Sequence, residues 1–541
     1  MSYPEFFNDV FGPIMQPGSS SHTAGPCRIG YLARSLLGEP PAEVRVTLAA
    51  DGSFAGTLGV MAEDCAMLAG ALGLLPDDER LFDAYALAAQ SGLAFRVEFG
   101  KIAESQHPNA VKFTLTSPAG RVATLVADST GGGMIETRAV DGFPLRSKGD
   151  AHVLLAFALE GARAENGFER LVTGLPGLVE TGVISVSGAW EALHWACLSQ
   201  PPDPDAIRRA LPGCRVAVLA PVLPVLDTPD RQPQLFDTMT RWREVAAERG
   251  ISLWETAVQY EMAASGWARP RVIAFMRGIE RAMYRQTHAV YDEAVVVPTT
   301  PFRPDMTADW ARHMASPRRL TDGITSQTLK WAYGAGAGVP GVPVVAGPMG
   351  SGGGYVHAAL WAVKEAHGFS DADLLRGLFI AAGIGAIAFT RTEPTGEVIG
   401  CTGECGICGA MAAAGIAEMA GGTPEVVENA ASLLLQGMIG LPCDPIAGGA
   451  GQPCRSRIIT AVCMAHVFAD LALAGRDAVL PLHEVIDVAD AVGRGLPPAL
   501  RCTGRGGAAI APTAARQALA FREWHEQAAR AGTRRPPGNL I

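Results

Sequence analysis

Residues Gly400–Gly422 read GCTGECGICGAMAAAGIAEMAGG. From Gly409 onward the run is small and apolar, the composition of a buried helix rather than one with a wet face. It predicts a buried helix over Gly409–Met419 within a largely helical region. The same stretch carries Cys401, Cys405 and Cys408. Buried thiols often pack as small hydrophobes, and Cys405 and Cys408 form a C-x-x-C that also fits half a zinc site or a redox pair. A zinc site needs a second close Cys/His pair, and none follows at a typical spacing.

Outward from this run, residues 235–530 hold long Ala- and Gly-rich helical patterns broken by Gly/Pro loops. Helices are predicted at Asp237–Arg249, Ile251–Ala264, Pro270–Ala289, Leu374–Thr390, Pro424–Gln436 and Arg457–Leu473, with Thr423 as an N-cap ahead of Pro424. The first 150 residues differ: β-like runs VRVTLAA, FRVEFG, AVKFTLTS and RVATLVA accompany an apolar helical segment near Ala66–Leu75. From Ala151 a third pattern begins, HVLLAFALEG, a helix, VISVSG, a second helix and CRVAVLAPVLPVL. The polar, Pro-bearing stretch DTPDRQPQ, Asp227–Gln234, closes it. The fold class expected is multidomain α+β. An N-terminal α+β domain spans 1–150, a small α/β unit 151–232, and a mostly α-helical domain 233–541. The tail GTRRPPGNLI is expected to be poorly ordered.

A chain of 541 residues can bury several cores and needs no disulfide staples. Its formal charge of -10 and the lack of an Arg/Lys stripe argue against a nucleic-acid partner. The N-terminus MSYPEFFNDVFGP lacks the basic n-region of a secretory signal. Uncharged apolar runs such as Gly377–Phe389 are too short to cross a bilayer, so no membrane association is expected. A cytoplasmic protein follows, in which 11 cysteines stay reduced. Five of them, Cys401, Cys405, Cys408, Cys443 and Cys454, crowd one segment, which points to metal or catalytic use.

Cys401 (IGCTGE), Cys443 (LPCDPIAGG) and Cys454 (GQPCRSR) each sit where Gly or Pro turns the backbone, so three thiolates can converge. Three protein thiolates on an iron-sulfur cluster, which four normally hold, leave one iron open, a Lewis acid suited to eliminating water from a β-hydroxy compound. The stretch QPGSSSHTAGP, Gln16–Pro26, places Ser19, Ser20, Ser21, His22 and Thr23 ahead of an apolar helix. It reads either as an ordinary N-cap loop or as an anion site with His22 as proton carrier. The Gly-rich loop VVAGPMGSGGGYVHAALW, Val344–Trp361, lacks P-loop and dinucleotide spacing. Gly350, Ser351 and Gly352 there suit a close-approach loop at the start of a helix, able to take a carboxylate. RCTGRGGAA, Arg501–Ala509, reads as surface structure or as a second carboxylate contact.

These motifs resemble those of the iron-sulfur-dependent L-serine dehydratases (L-serine ammonia-lyases). SSSHTAGP resembles the family's S-S-S-H-T-x-G-P, and HPNAVKF and DSTGGGM resemble later landmarks of its β-type domain. GPMGSGGGYVHAAL, GCTGECGICGAMAAAGIAEM and CDPIAGGAGQPCRSR are similar to its Gly-rich and cysteine blocks, and its S-R-G-G is echoed as Gly504–Gly507. The resemblance implies a β-type domain, an ACT-like regulatory or dimerising unit and an α-type domain in one chain. It implies a [4Fe-4S] cluster on Cys401, Cys443 and Cys454, and a small amino or hydroxy acid substrate between the catalytic domain and the SSSHT loop. Elimination of water from L-serine to give pyruvate and ammonia, His22 as base and a homodimer are also implied. Two departures stand out. Met61 occupies the place of a family histidine within TLGVMAED. The sequence ends NLI where some single-chain members supply a cysteine to the fourth iron, which leaves that position to water, Cys405 or Cys408. With Met61 in that place, the substrate extends to a close β-hydroxy analogue, a different β-hydroxy acid or cysteine, and a non-catalytic iron-sulfur or zinc sensor is the rival of another class.

Overall fold

A computed structural model describes residues 3–530, except 60, 159–163, 186–191, 300–304, 322 and 449–451. The tail 532–541, read as poorly ordered, lies outside the described residues. The first sheet has five strands in the order Ala94–Gly100, Glu43–Ala49, Ala110–Thr116, Val122–Gly131 and Met134–Val140. Only the first pair runs parallel. Val44, Val46 and Leu48 are buried while Arg45 between them is exposed, the period-two alternation of a sheet covered on one side. The cover is the helix Gly25–Leu37, and the helix Glu63–Ala71 packs on it in turn. They touch backbone to backbone, because a Cβ on Gly70 would lie 1.9 Å from the Cys27 carbonyl.

Residues 152–219 form a four-stranded antiparallel sheet with two helices in the order βαββαβ: His152–Ala158, Ala164–Thr173, Leu178–Ser185, Ala192–Leu198, Pro204–Ala210 and Cys214–Leu219. The expected second helix between VISVSG and CRVAVL is present, but the sequence reading lacked the strand ahead of it. The strand Ala192–Leu198 precedes the helix Pro204–Ala210. Leu193, Trp195 and Cys197 pack toward the first sheet's core, whereas Ala196 and Leu198 pack into the unit's own core. Apolar residues on both faces hide the alternation that marks a strand.

The helical region is built around Ile407–Met419, of which only Glu418 is not buried. It packs on Asp371–Arg391, Cys454–Leu473, Pro424–Gln436 and Gly352–His367. Small side chains make this possible: a Cβ on Gly415 would stand 2.8 Å from the Gly377 carbonyl of the neighbouring helix. Predicted helices recur as Met239–Arg249, Leu253–Ser265 and Arg269–Asp292, and Thr423 Oγ1 accepts from Val426 N as an N-cap. Helices Thr307–Met314, Gly323–Ala335, Leu482–Arg494 and Pro512–Arg530 are additional.

Asp371–Arg391 and Cys454–Leu473 are long and apolar enough to cross a bilayer once a few charges are admitted, which extends the run Gly377–Phe389. Both pack against Ile407–Met419. The N-terminal segment is threaded into this region. Phe6, Phe7 and Phe11 join its core, Phe6 N donates to Glu261 Oε2 at 2.7 Å, and Ile14–Met15 pairs with Val344–Val345.

Candidate metal centre and active site

Three chain segments deliver the predicted thiols. Cys401 follows the short helix Gly396–Ile399 through Gly400, whose φ of 71° and 2.2 Å clearance from Cβ to the Leu441 carbonyl admit only glycine. Cys443 is pinned by its N–H to the Leu500 carbonyl at 2.8 Å, and Cys454 opens the helix Cys454–Leu473. All three are buried and their sulfurs lie within 4.8 Å of one another. Hydrogen bonds from the thiols of Cys405, Cys443 and Cys454 hold Cys401 well below the usual thiol range, and Arg457 adds to this. Arg457 Nη1 lies 3.6 Å from Cys401 Sγ and 2.8 Å from Asp444 Oδ1. Asp444 is itself held by Ala508 N at 2.6 Å. The GRGG turn thus orients the cation facing the thiols, while Arg505 is exposed.

The donor set fits an iron-sulfur cluster. Soft thiolates select such clusters, zinc or copper(I), and a structural zinc site wants four donors. Space around the thiols is kept by glycine: a Cβ on Gly396 would come 2.6 Å from Cys443 Sγ. Glu404 Oε2 approaches Cys401 Sγ at 3.8 Å and Cys443 Sγ at 4.0 Å. Burial, followed by the charge on Cys401, pushes the Glu404 carboxyl well above its ordinary range.

Beside the thiols lies an acid-base group. Ser19 Oγ accepts from His22 N at 3.2 Å and caps a tight turn, Ser20–Ala24, that fixes the ring. Ser21 Oγ lies 2.8 Å from His22 Nδ1 and donates to Glu397 Oε1 at 2.9 Å, while His22 Nε2 lies 3.1 Å from Ser53 Oγ. His22 is fully buried, and burial lowers its pKa against the opposing pull of Glu397. A neutral ring has one N–H. Ser21 and Ser53 each direct their proton to an oxygen, Glu397 Oε1 and the Cys502 carbonyl, so the single N–H of the ring satisfies one serine and the other ring nitrogen keeps a lone pair as the base. Asn109 Nδ2 reaches Glu397 Oε1 at 3.4 Å, and Ser129 Oγ ties the turn down through the Ser21 carbonyl at 2.6 Å.

The remaining candidates fall as follows. Thr23 Oγ1 donates to the Met61 carbonyl at 2.8 Å and accepts from Ser19 N, so it braces the turn against the buried Met61. Ser20 is buried with its backbone against Gly350, where a Cβ would come 2.9 Å from Ser20 N. Ser351 is fully buried at the start of Gly352–His367, and Gly352 leaves room for Cys408 Sγ, 2.7 Å from where its Cβ would be. Cys405 contacts Cys401 and points at the Cys454 carbonyl, 3.8 Å away.

Sequence reasoning missed Glu397, Ser53, Asn109 and Cys502. Each comes from a different segment, with no spacing to link it to His22. The quoted HPNAVKF contained Asn109, and RCTGRGGAA contained Cys502 between the two arginines that drew notice.

A family model described as "Serine dehydratase alpha chain" matches residues 248–509, which include all three thiols. The chain is 41% identical over 170 residues to the probable L-serine dehydratase alpha chain of Bacillus subtilis, covering 31% of this chain and 57% of that one. Against the probable beta chain of the same organism it is 40% identical over 157 residues, covering 29% of this chain and 68% of that one.

The chain belongs to the L-serine dehydratase family.

An L-serine dehydratase of Mycobacterium tuberculosis is 38% identical over 210 residues, 38% of this chain and 43% of that protein. The chain thus spans little more than half of the Bacillus alpha chain it matches, and 58% of the corresponding Peptoniphilus asaccharolyticus alpha chain. Both alpha-chain and beta-chain members of the L-serine dehydratase family therefore have counterparts within this one polypeptide.

Proposed function

We propose that the protein is a [4Fe-4S]-dependent lyase that eliminates water from L-serine, or a close β-hydroxy analogue, to give pyruvate and ammonia. The observation that carries this reading is the adjacency of three buried thiols to the His22–Ser21–Glu397 chain, joined by Cys502, whose sulfur lies near His22 and Glu397 and meets the Cys443 thiol. Cys401, Cys443 and Cys454 would hold the cluster, which when bound supplies an open Lewis-acidic iron for the β-hydroxyl.

The chain's own groups do the rest. His22 takes the α-proton on the ring nitrogen that carries no hydrogen, and Ser21 and Glu397 beside Nδ1 stabilise the imidazolium as it forms. Asn109 Oδ1 is buried and has no partner among the described residues, which suits a substrate ammonium. The start of the helix Gly352–His367, with Gly350 and Ser351 ahead of it, suits the carboxylate, while the Gly352 N–H turns to the Met349 carbonyl at 2.9 Å. Burial of every one of these groups keeps water from competing. The aminoacrylate released by elimination becomes an imine, and water hydrolyses it to the keto acid and ammonia.

Residues 1–150 and 233–541 are read as the β-type and α-type dehydratase domains. Residues 151–232 are read as an ACT-like regulatory or dimerising unit, a reading supported by the βαββαβ order. A soluble cytoplasmic homodimer completes the proposal. Met61, in the place where the family resemblance puts a histidine, carries a second reading, in which the same elimination acts on another β-substituted acid, with cysteine and loss of sulfide as the nearest case. The test is an anaerobic assay of the reconstituted protein on L-serine, L-threonine and L-cysteine. Pyruvate and ammonia from serine are expected, keto acid with sulfide from cysteine alone moves the assignment to the second reading, and no product from any of the three overturns both.

A further inference from the structure

Cys502 stands between the two halves of the site. It is 2% exposed, and its sulfur lies within 4.8 Å of a His22 ring nitrogen and a Glu397 carboxylate oxygen, with all three atoms mutually that close. On its other side its thiol meets that of Cys443. The backbone locks the two cysteines together: Cys502 N donates to the Cys443 carbonyl at 2.7 Å, and Cys443 bridges Arg501 in parallel register. Ser53 Oγ holds the Cys502 carbonyl at 3.2 Å. Cys502 also adopts φ 58°, a left-handed conformation in which glycine is the ordinary occupant. Of the local pair, Cys408 faces Met349 and Gly352, and Cys405 faces Cys401 and the Cys454 carbonyl. Neither shares the group formed with His22 and Glu397.

We propose that the Cys502 thiolate is the protein's own ligand to the fourth iron of the cluster in the resting state, released when substrate binds. The proposal rests on the three-cysteine reading above. Three cysteines leave one iron without a protein ligand, and the one further thiol that touches both this set and the acid-base pair is in place to supply it. On closing, the Cys502 S–H bond breaks, its proton passes to the Glu397 carboxylate, and an iron–sulfur bond forms. On opening, the substrate hydroxyl takes the iron and the thiolate recovers the proton. No electron moves in either direction.

The test uses full-length protein, its C502S variant and its C502G variant, all reconstituted anaerobically and matched for iron and sulfide. Glycine accepts the φ at this position, so C502G separates loss of the thiol from loss of the backbone. Each is treated with one equivalent of ferricyanide, and the three-iron signal is followed by electron paramagnetic resonance. An iron held by four thiolates resists loss, so the three-iron signal is expected to grow about tenfold faster in both variants than in the parent. Mössbauer spectra of the resting parent should show no distinct iron until L-serine is added. Equal rates in all three proteins, or a distinct iron already present in the resting parent, overturn the assignment of Cys502 while leaving the three-cysteine site standing. A parent that takes up no four-iron cluster overturns the three-cysteine site and this proposal with it.

Discussion

Cys408 and Cys502 make an instructive pair. Cys408 stands close to Cys401 in sequence and belongs to the C-x-x-C that attracts the eye, yet the helix Ile407–Met419 carries its sulfur toward Met349 and Gly352. Burial there pushes its thiol up to about 12, the behaviour of an inert core group. Cys502 is remote in sequence, but a short backbone bridge sets it beside Cys443. The direction in which the chain enters the pocket decides which thiol meets the others. Spacing along the chain does not.

The largest test of this contrast is removal of a thiol that faces the pocket. Serine in place of Cys401, Cys443 or Cys454, one at a time, should bring iron and acid-labile sulfide to background in each reconstituted protein and abolish turnover. Full retention in any one of them removes that residue from the ligand set. Next in size are His22→Asn and Glu397→Gln, which should keep the cluster's visible absorbance while lowering kcat by about 10²- to 10⁴-fold. Gly396→Ala should fall between structure and chemistry. Its methyl would meet Cys443 Sγ at 2.6 Å, so a fraction of the protein should reconstitute poorly while melting near the parent temperature. Cys408→Ala should show the opposite pattern, with iron content and kcat unchanged and about 1 kcal/mol of stability lost from the core, read by denaturant titration.

The smallest effect concerns a histidine away from the thiols. His288 is stacked between Tyr284 and Trp331, and burial, with His357 adding, lowers its pKa to about 3. It is neutral above pH 6.5 in both folded and unfolded chains. As pH falls below 6.5 the unfolded chain takes a proton that the folded one refuses, so this residue's contribution declines down to about pH 3. A His288→Phe variant should therefore lose less stability than the parent over that window, in urea titrations at successive pH values.

Much of the architecture was legible because the relevant pattern faced one way. Val44, Val46 and Leu48 alternate with residues outside the core, and Gly409–Met419 has the all-round smallness of a central helix. The strand Ala192–Leu198 was not legible, since Leu193 and Ala196 serve two different cores and leave no polar face. Leu482–Arg494 could have been found: Leu482, Val485, Ile486 and Ala489 are buried at helical spacing. In the pocket, the serine-histidine turn and the three thiols announce themselves as compact motifs. Glu397, Ser53 and Cys502 do not, because only tertiary contact unites residues from three separate segments, two short helices and a turn. Thr23 shows the converse, a hydroxyl inside a recognisable motif whose bonds go to Met61 and Ser19 rather than into the pocket.

The central claim is that the thiol set and the His22–Glu397 chain act as one site. Its most direct measurement is anaerobic turnover of L-serine by the reconstituted protein beside Cys454→Ser and Glu397→Gln, with pyruvate, ammonia and bound iron quantified in the same samples. The account predicts equal pyruvate and ammonia from the parent, neither product nor iron in Cys454→Ser, and full iron with strongly reduced product in Glu397→Gln. Parent-like turnover by either variant would contradict it.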